Sequence, residues 1–530
     1  MAAVPSSATA RPNVALARDP AGLLLSIIVF VGGICSIGIE VSASRLIGPY
    51  FGSSTFIWAN LIGLTLLYLT LGYFIGGRLA DRYPSATLLY LLVVTAGASV
   101  AFIPTVSRPI LRISLDAFDD VAVGAFYGSL VGTILLFAVP ITLLGCISPF
   151  AVRLRLRSVE RAGNTAGSLY ALSTVGSILG SILPTFLLVP AFGTRATFMI
   201  FSLGLVIPAT LALVALRARA ETLVALGLAG AVGLVPVLDQ GGLIRPPEYG
   251  VVIHEAETRY NYVQVLDRNG EILLALNEGH AVHSIYNPNS QLTRGPWDYF
   301  MIGSYFNAQQ RPEDVDSLLL IGLAAGTVSK QFTAAYGPIP IDGVEIDGEI
   351  AEIGRQYFDM NEPNLNVIIE DGRYYLTRTS NTYDVIGIDA YRQPYIPFHL
   401  TTREFFQDVS DHLNDDGVAI VNAGRTRTDF RLVDVIASTM RDVFPNVYII
   451  DVARFTNSIV IGTKQPTDID NFAQNILQIP ESSLIRQVGD LALESGNIRE
   501  WTETKQVFTD DLAPVELVVD QIILRAATNE

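Results

Sequence analysis

Seven apolar runs in the first 245 residues constrain this chain more than any motif. They lie at about 21–44, 55–77, 86–106, 121–147, 166–190, 196–216 and 221–238. A membrane-crossing helix needs about 20 such residues, because lipid offers the backbone no outside hydrogen-bond partner. Residues 1–245 therefore read as a multi-pass α-helical membrane domain of about seven helices. Pro140 and Pro184 fall inside the fourth and fifth runs, where neighbouring helices can satisfy the freed carbonyls. Gly176 and Gly180 form a G-x-x-x-G, a spacing that lets two helices approach closely. The first run is as long as a span and lacks a cleavage site, so it reads as a crossing rather than a signal peptide. Both cysteines, Cys35 and Cys146, sit in apolar runs, so neither a zinc cluster nor a disulfide framework is expected.

Charge divides the chain at the same place. Residues 1–245 hold fifteen Arg, no Lys and nine acids, whereas residues 246–530 hold twenty basic and forty-two acidic residues. Nucleic acid is excluded as a partner, since phosphate binding needs clustered cations. An acidic surface suits solubility and also attracts cationic ligands. Arginine counts give an orientation. Ten Arg fall on the side of the N-terminus and alternate loops, against five on the other. The N-terminus is therefore expected in the cytoplasm, and after seven crossings the soluble half lies outside it. Membrane lipid is the first expected partner, with a membrane-protein complex or a homo-oligomer as further possibilities.

The soluble half changes period. Residues 246–310 alternate apolar and polar residues around an Arg-Asn-Gly turn, the pattern of a small β-hairpin subdomain. Residues 311–530 alternate strands and helices: SLLLIG, then a helix ending at Gly337, then IDGVEID, LNVIIED, YDVIGIDAY and VAIVNAG with helices between. Such alternation means a Rossmann-like, methyltransferase-type parallel sheet, which binds ligands at the carboxyl ends of its strands. Four strand ends carry candidates. The first ends at Gly322 and Gly326. The second ends at Glu345 and Asp347, where an acid suits a ribose diol. The third ends at Asp371 and Gly372, which could meet an adenine amino group. The fourth ends at Asp389. Each acid could equally cap a helix or turn; together they read as a site.

This order of motifs resembles the polyamine aminopropyltransferases, the spermidine synthase family, over roughly residues 255–465. The whole chain looks like the prokaryotic membrane-fused spermidine synthase-like proteins, through residues 52–82, LTRGPWDYF (292–300) and FTDDLAPVE (508–516). The resemblance implies a donor, decarboxylated S-adenosylmethionine or a similar nucleoside, an amine acceptor, and no metal. It implies that Glu345 binds the ribose, Asp371 contacts the adenine and Asp389 accepts a proton from the attacking amine. It also exposes departures. Ala325 and Arg392 stand where the family has aspartates that hold ammonium groups. Asn261 stands where a glutamine is common. Trp297-Asp298-Tyr299 is the nearest match to the family's acceptor motif, so Asp298, Tyr299 and Arg392 are the expected substrate contacts. Three readings stay open: an alkyl transferase with Asp389 as base, a catalytically inactive binding or assembly module, and a transporter with a regulatory nucleoside-binding domain. The last rests on Glu40 within the first run.

Overall fold

The computed structural model describes residues 20–52, 55–116, 124–156, 158–238, 243–277, 281–391, 395–494 and 496–528. They form two compact units: residues up to 46, 58–111 and 130–242 in one, and 47–57, 112–129 and 243 onward in the other.

The helical unit follows the apolar runs. Its helices are Pro20–Phe51 (α1), Thr55–Arg82 (α2), Ala86–Asp116 (α3), Gly124–Gly145 (α4), Ile147–Arg155 (α5), Ala162–Leu183 (α6), Val189–Ala215 (α7) and Arg219–Leu238 (α8). Among the described residues, six helical stretches are long and apolar enough to cross a membrane, the signature of a multi-pass membrane protein. The difference from seven runs lies in one stretch, Val159–Ala215, which contains two of them. Gly193 within it has φ 78 and ψ 167, outside the helical region. Contacts with α1 reveal what that break does. A Cβ on Gly180 would lie 3.1 Å from Gly38 N, and one on Gly38 would lie 2.5 Å from Phe201 Cζ. Residues 180 and 201 would stand about 31 Å apart on a straight helix, so they cannot both reach Gly38 unless the chain folds back. The directions agree. Gly33 faces Ser173 and Gly180 faces Ile34, so α6 runs with α1; Cys35 faces Phe201 and Gly204 faces Val31, so α7 runs against it. The 57-residue stretch is a helical hairpin that turns at Gly193. The G-x-x-x-G sits at its tightest contact: a Cβ on Gly176 or Gly180 would come within 2.3 or 2.2 Å of a backbone oxygen of α1.

The other unit opens with an antiparallel sheet of four strands in sequence order, Val251–Glu257 (β1), Tyr262–Arg268 (β2), Glu271–Leu276 (β3) and Val282–Tyr286 (β4). An 11-residue 3₁₀ helix, Pro296–Phe306, follows, with every residue buried. The large sheet then begins with Leu318–Ile321 (β5), Ile341–Glu345 (β6), Leu365–Ile369 (β7), Tyr383–Ile388 (β8) and Leu413–Gly424 (β9). These five are parallel, in the order β7-β6-β5-β8-β9. Helices Thr327–Tyr336 (α9), Gly348–Tyr357 (α10), Gly372–Leu376 (α11) and Arg403–Asp411 (α12) connect them. Strand β5 is wholly buried, as its unbroken LLLI requires in a sheet covered on both faces.

Beyond β9 the structure adds what the alternation did not predict. After Arg431–Arg441 (α13), strands Asn446–Asp451 (β10) and Asn457–Thr463 (β11) form a hairpin that pairs antiparallel with β9. Helices Asp470–Gln478 (α14) and Leu484–Glu494 (α15) lead to Ile498–Glu500 (β12) on the edge, completing eight strands. The chain closes with Val515–Thr528 (α16). The order of strands reverses between β5 and β8, so the crevice that an α/β sheet offers a ligand falls at their carboxyl ends.

Candidate functional site

The loop after β5 is shaped mostly by the protein around it. Gly322 has φ 92, and a Cβ there would stand 2.6 Å from Asp389 O. Its missing side chain lets the ends of β5 and β8 lie together. Gly326 has φ 87 and caps α9; its Cβ would strike Met360 Cγ at 2.5 Å. Between them Ala324 also has positive φ, 49, a conformation costing an L-residue about 1 kcal/mol. Its N–H donates to Glu345 Oε2 at 2.9 Å. Ala324 faces the cleft, whereas Ala325 turns inward, 1% exposed, against Ile350, Ile353 and Phe358. The position at which the resemblance expects an ammonium-holding acid therefore carries a core methyl group in this chain.

The strand-end acids divide into two kinds. Glu345, at the end of β6, accepts from Ala324 N and from Asp347 N at 3.0 Å, one on each oxygen. Each oxygen keeps a lone pair for a further donor, such as a hydroxyl. Burial pushes its carboxyl up to about 7. Asp347 is 2% exposed and caps α10 through Glu349 N at 3.2 Å. Its Oδ2 takes Thr258 Oγ1 at 2.5 Å and Asn261 Nδ2 at 3.0 Å, which ties the small sheet to the large one. Asp371 caps α11 through Arg373 N and Tyr374 N, at 3.1 and 3.0 Å, and its Oδ2 meets His399 Nε2 at 3.1 Å. That His399 contact leads the causes that hold its carboxyl below the usual range. Gly372 packs on β5, where a Cβ would meet Ile321 Cγ2 at 2.2 Å.

Asp389 differs from all of these. It follows β8 and is held by side chains: Trp297 Nε1 donates to Oδ2 at 3.0 Å and Asn422 Nδ2 to Oδ1 at 2.8 Å. Asn422 is itself oriented by Asn457 Nδ2, which donates to its Oδ1 at 2.9 Å. Tyr391 OH donates to Asn422 O at 2.9 Å and accepts from Gly424 N at 2.8 Å. Burial pushes the Asp389 carboxyl up to about 7, against these two hydrogen bonds. A cleft of about 520 Å³ opens over it, lined also by Ala324, His283, Trp297 and Tyr391. A carboxylate so placed can take a proton near neutral pH.

The expected acceptor contacts need correcting. Asp298 does not reach the cleft. It is 2% exposed, and its carboxylate accepts from Thr293 N and Oγ1, Arg294 N and Gln331 Nε2. It closes the turn before the 3₁₀ helix, as a short acid does when amides converge on it. Tyr299 is 4% exposed and lies in the core. Their neighbour Trp297 is the residue of that motif that meets Asp389. Arg392 lies outside the described residues. Sequence reasoning passed over Asn422, which lies two residues before the end of β9 in the signal VAIVNAG: a polar residue interrupting a buried apolar strand.

Comparison with known proteins gives matches over the same part of the chain. Residues 315–471, which contain Gly322, Gly326, Glu345, Asp371 and Asp389, match the family model of the spermine/spermidine synthase domain. The chain is 30% identical over 292 residues to a "Probable polyamine aminopropyl transferase" of Bifidobacterium longum, covering 51% of this chain and 64% of that protein. It is 28% identical over 283 residues to a "Polyamine aminopropyltransferase" of Vibrio vulnificus, covering 50% of this chain and 91% of that one. Among solved structures, a probable spermidine synthase from Corynebacterium glutamicum aligns with a TM-score of 0.39 and 19% identity, covering 50% of this chain and 97% of its own. Spermidine synthase from Thermotoga maritima aligns at 0.37 and 17%, covering 48% and 94%. Behind an N-terminal region of six long apolar helices, the chain carries a spermine/spermidine synthase domain, that of the polyamine aminopropyltransferase family.

Proposed function

We propose that the α/β unit transfers an aminopropyl group from decarboxylated S-adenosylmethionine to an amine. The observation that carries this reading is Asp389, whose carboxyl burial pushes up to about 7 while Trp297 and Asn422 hold it in place on the floor of the cleft. An ammonium has no lone pair, so the acceptor must lose a proton before it attacks. In this scheme Asp389 takes that proton. The amine nitrogen then attacks the carbon beside the sulfonium, and the carbon–sulfur bond breaks with its electrons moving to sulfur. Methylthioadenosine leaves as a neutral thioether. Glu345 would hold the ribose hydroxyls, and in-line positioning would supply much of the remaining acceleration. The test is release of methylthioadenosine by the full-length protein in detergent, given decarboxylated S-adenosylmethionine and a panel of amines. Release that Asp389→Asn abolishes supports the reading; no release with any amine overturns it.

A second reading, a binding module without turnover, draws on the hairpin at Gly193. Seven crossings with the arginine-rich side in the cytoplasm would put residue 243 onward outside, away from cytoplasmic nucleosides. A reporter fused at the C-terminus separates the two: activity of a cytoplasmic reporter supports the transferase, and activity of an exported one supports the binding module.

A further inference from the structure

The lining of the cleft around Asp389 carries an inference about the acceptor, which rests on the transfer reading above. An ammonium taken out of water is costly unless a carboxylate or other acceptor pairs with it, so a diamine needs two such partners. Among the described residues that line this cleft, Asp389 is the one carboxylate. The same cleft is lined by Leu432, Phe455, Val519, Ile522 and Ile523, a largely aliphatic surface supplied in good part by α16. That helix is locked in place. Tyr395 OH donates to Asp520 Oδ1 at 2.5 Å, and Arg431 Nη1 donates to Gln521 Oε1 at 2.9 Å. The first bond also turns away from the cleft the acid that α16 carries between Val519 and Ile522.

The other charged side chains that line the cleft are cationic. Arg425 lines the cleft, 4.9 Å from the Phe430 ring centroid. Its ion-pair partner, Asp451, lies 3.8 Å from Nε and is shared with Arg499, which also faces Asp434. Arg268, the other cationic liner, is already paired with Glu271 at 2.5 Å. A diamine laid along this cleft would put one ammonium on Asp389 and bring the other to an aliphatic surface beside a guanidinium. Desolvation and like charge both oppose that. A chain with a single amine and an apolar body meets neither obstacle.

We propose that the acceptor is a primary monoamine with an apolar body, its amine on Asp389 and its chain along α16. Chemically the transfer is the one above: one nitrogen–carbon bond forms, one carbon–sulfur bond breaks, and the released proton passes through Asp389 to water.

The sharpest comparison is n-butylamine against 1,4-diaminobutane, which differ only by the second amine. With the full-length protein and decarboxylated S-adenosylmethionine, kcat/KM should favour butylamine by about tenfold or more. Hexylamine should gain a further several-fold, at about fourfold for each fully buried methylene. Equal or greater kcat/KM for the diamine overturns the proposal. Ile523→Asp places a carboxylate on the wall at a position already 43% exposed, where folding should tolerate it. It should move the ratio toward the diamine by about tenfold, and an unchanged ratio also overturns the proposal. If no amine releases methylthioadenosine, the transfer reading fails separately. The acceptor class is then read by calorimetry on protein saturated with methylthioadenosine. Tighter binding of butylamine than of diaminobutane upholds it, and the reverse order, or no binding of either, overturns it.

Discussion

The carboxylates at the ends of β6 and β7 and the one after β8 occupy equivalent places in the sheet, yet they are held by different kinds of partner. Glu345, Asp347 and Asp371 all accept from backbone N–H groups of the turns and helix starts beside them. Asp389 is held by the side chains of Trp297 and Asn422, 92 and 33 residues away in sequence. Backbone donors are present whatever the sequence; Asp347 and Asp371 add side chains to them, from Thr258, Asn261 and His399, whereas Glu345 is held by backbone donors alone and offers its remaining lone pairs to a ligand. Side-chain donors must be placed by distant segments, and they hold a carboxylate whose proton affinity burial has raised. The first arrangement suits recognition, and the second suits moving a proton.

The strongest attack on this contrast is Asp389→Asn. The amide keeps the shape and loses the base, so methylthioadenosine release should fall about 10³-fold. Methylthioadenosine affinity, measured by calorimetry, should stay within about twofold. A parallel loss of affinity would mean that Asp389 belongs to recognition after all.

Next in size is Ala325→Asp, which restores the acid of the family's loop. Ala325 lies against Ile350, Ile353 and Phe358, so a carboxylate there would be buried without a partner. It should cost about 3 kcal/mol of stability, read as a lower midpoint of unfolding. A variant as stable as the parent, with better use of diamines, would show that position 325 can turn toward the cleft.

Much of this was legible in the residues. The apolar runs give the helices, and the strand–helix alternation gives the five parallel strands and the acids at their ends. What was hidden depends on contacts between distant residues. Asp298 and Asp389 look alike as short acids near glycines or aromatics. Only the folded chain shows that Gln331, 33 residues on, draws the first inward. Asp347 reads as a ribose ligand until Thr258 and Asn261 arrive from the small sheet. The break at Gly193 falls between the runs at 166–190 and 196–216, so the two arms of the hairpin were legible, and the structure adds the residue whose positive φ turns the chain. Strands β10 and β11 escaped because a five-residue connection, 452–456, joins them antiparallel after a run of parallel crossovers. The part played by α16 was out of reach too, since nothing near Val519 or Ile522 marks them as cleft residues.

A smaller effect is expected from Trp297→Phe, which removes one of the two donors to Asp389. The indole N–H favours the ionised carboxylate, so its loss should raise the apparent pKa of kcat above about 7. A base works when deprotonated. Activity of the parent should therefore rise with pH through about 7 and level off. The variant should be about tenfold slower at neutral pH and recover at alkaline pH. A loss that persists on the alkaline plateau would assign the tryptophan to ligand contact instead.

The smallest effect concerns Glu345, and it separates two titrations that a rate profile would blend. Burial pushes this carboxyl up to about 7, as it does Asp389, so a single pH–rate curve cannot tell them apart. Their roles can. An ionised Glu345 offers both oxygens to a diol, whereas its protonated form has one oxygen carrying a hydrogen. The affinity for methylthioadenosine should therefore weaken as pH falls through about 7. In Glu345→Gln it should be weaker by about fivefold at neutral pH and flat with pH, because an amide does not titrate. Its NH₂ would also face either Ala324 N or Asp347 N, which now donate to the carboxylate, so part of the loss is local rearrangement. That part cannot produce the flat profile. If affinity still falls with acidity in the Gln variant, the titrating group is another acid, with Asp371 the next to examine. If affinity is independent of pH in the parent, Glu345 is bound to the loop alone, and the assignment of recognition to backbone-held acids loses its main support.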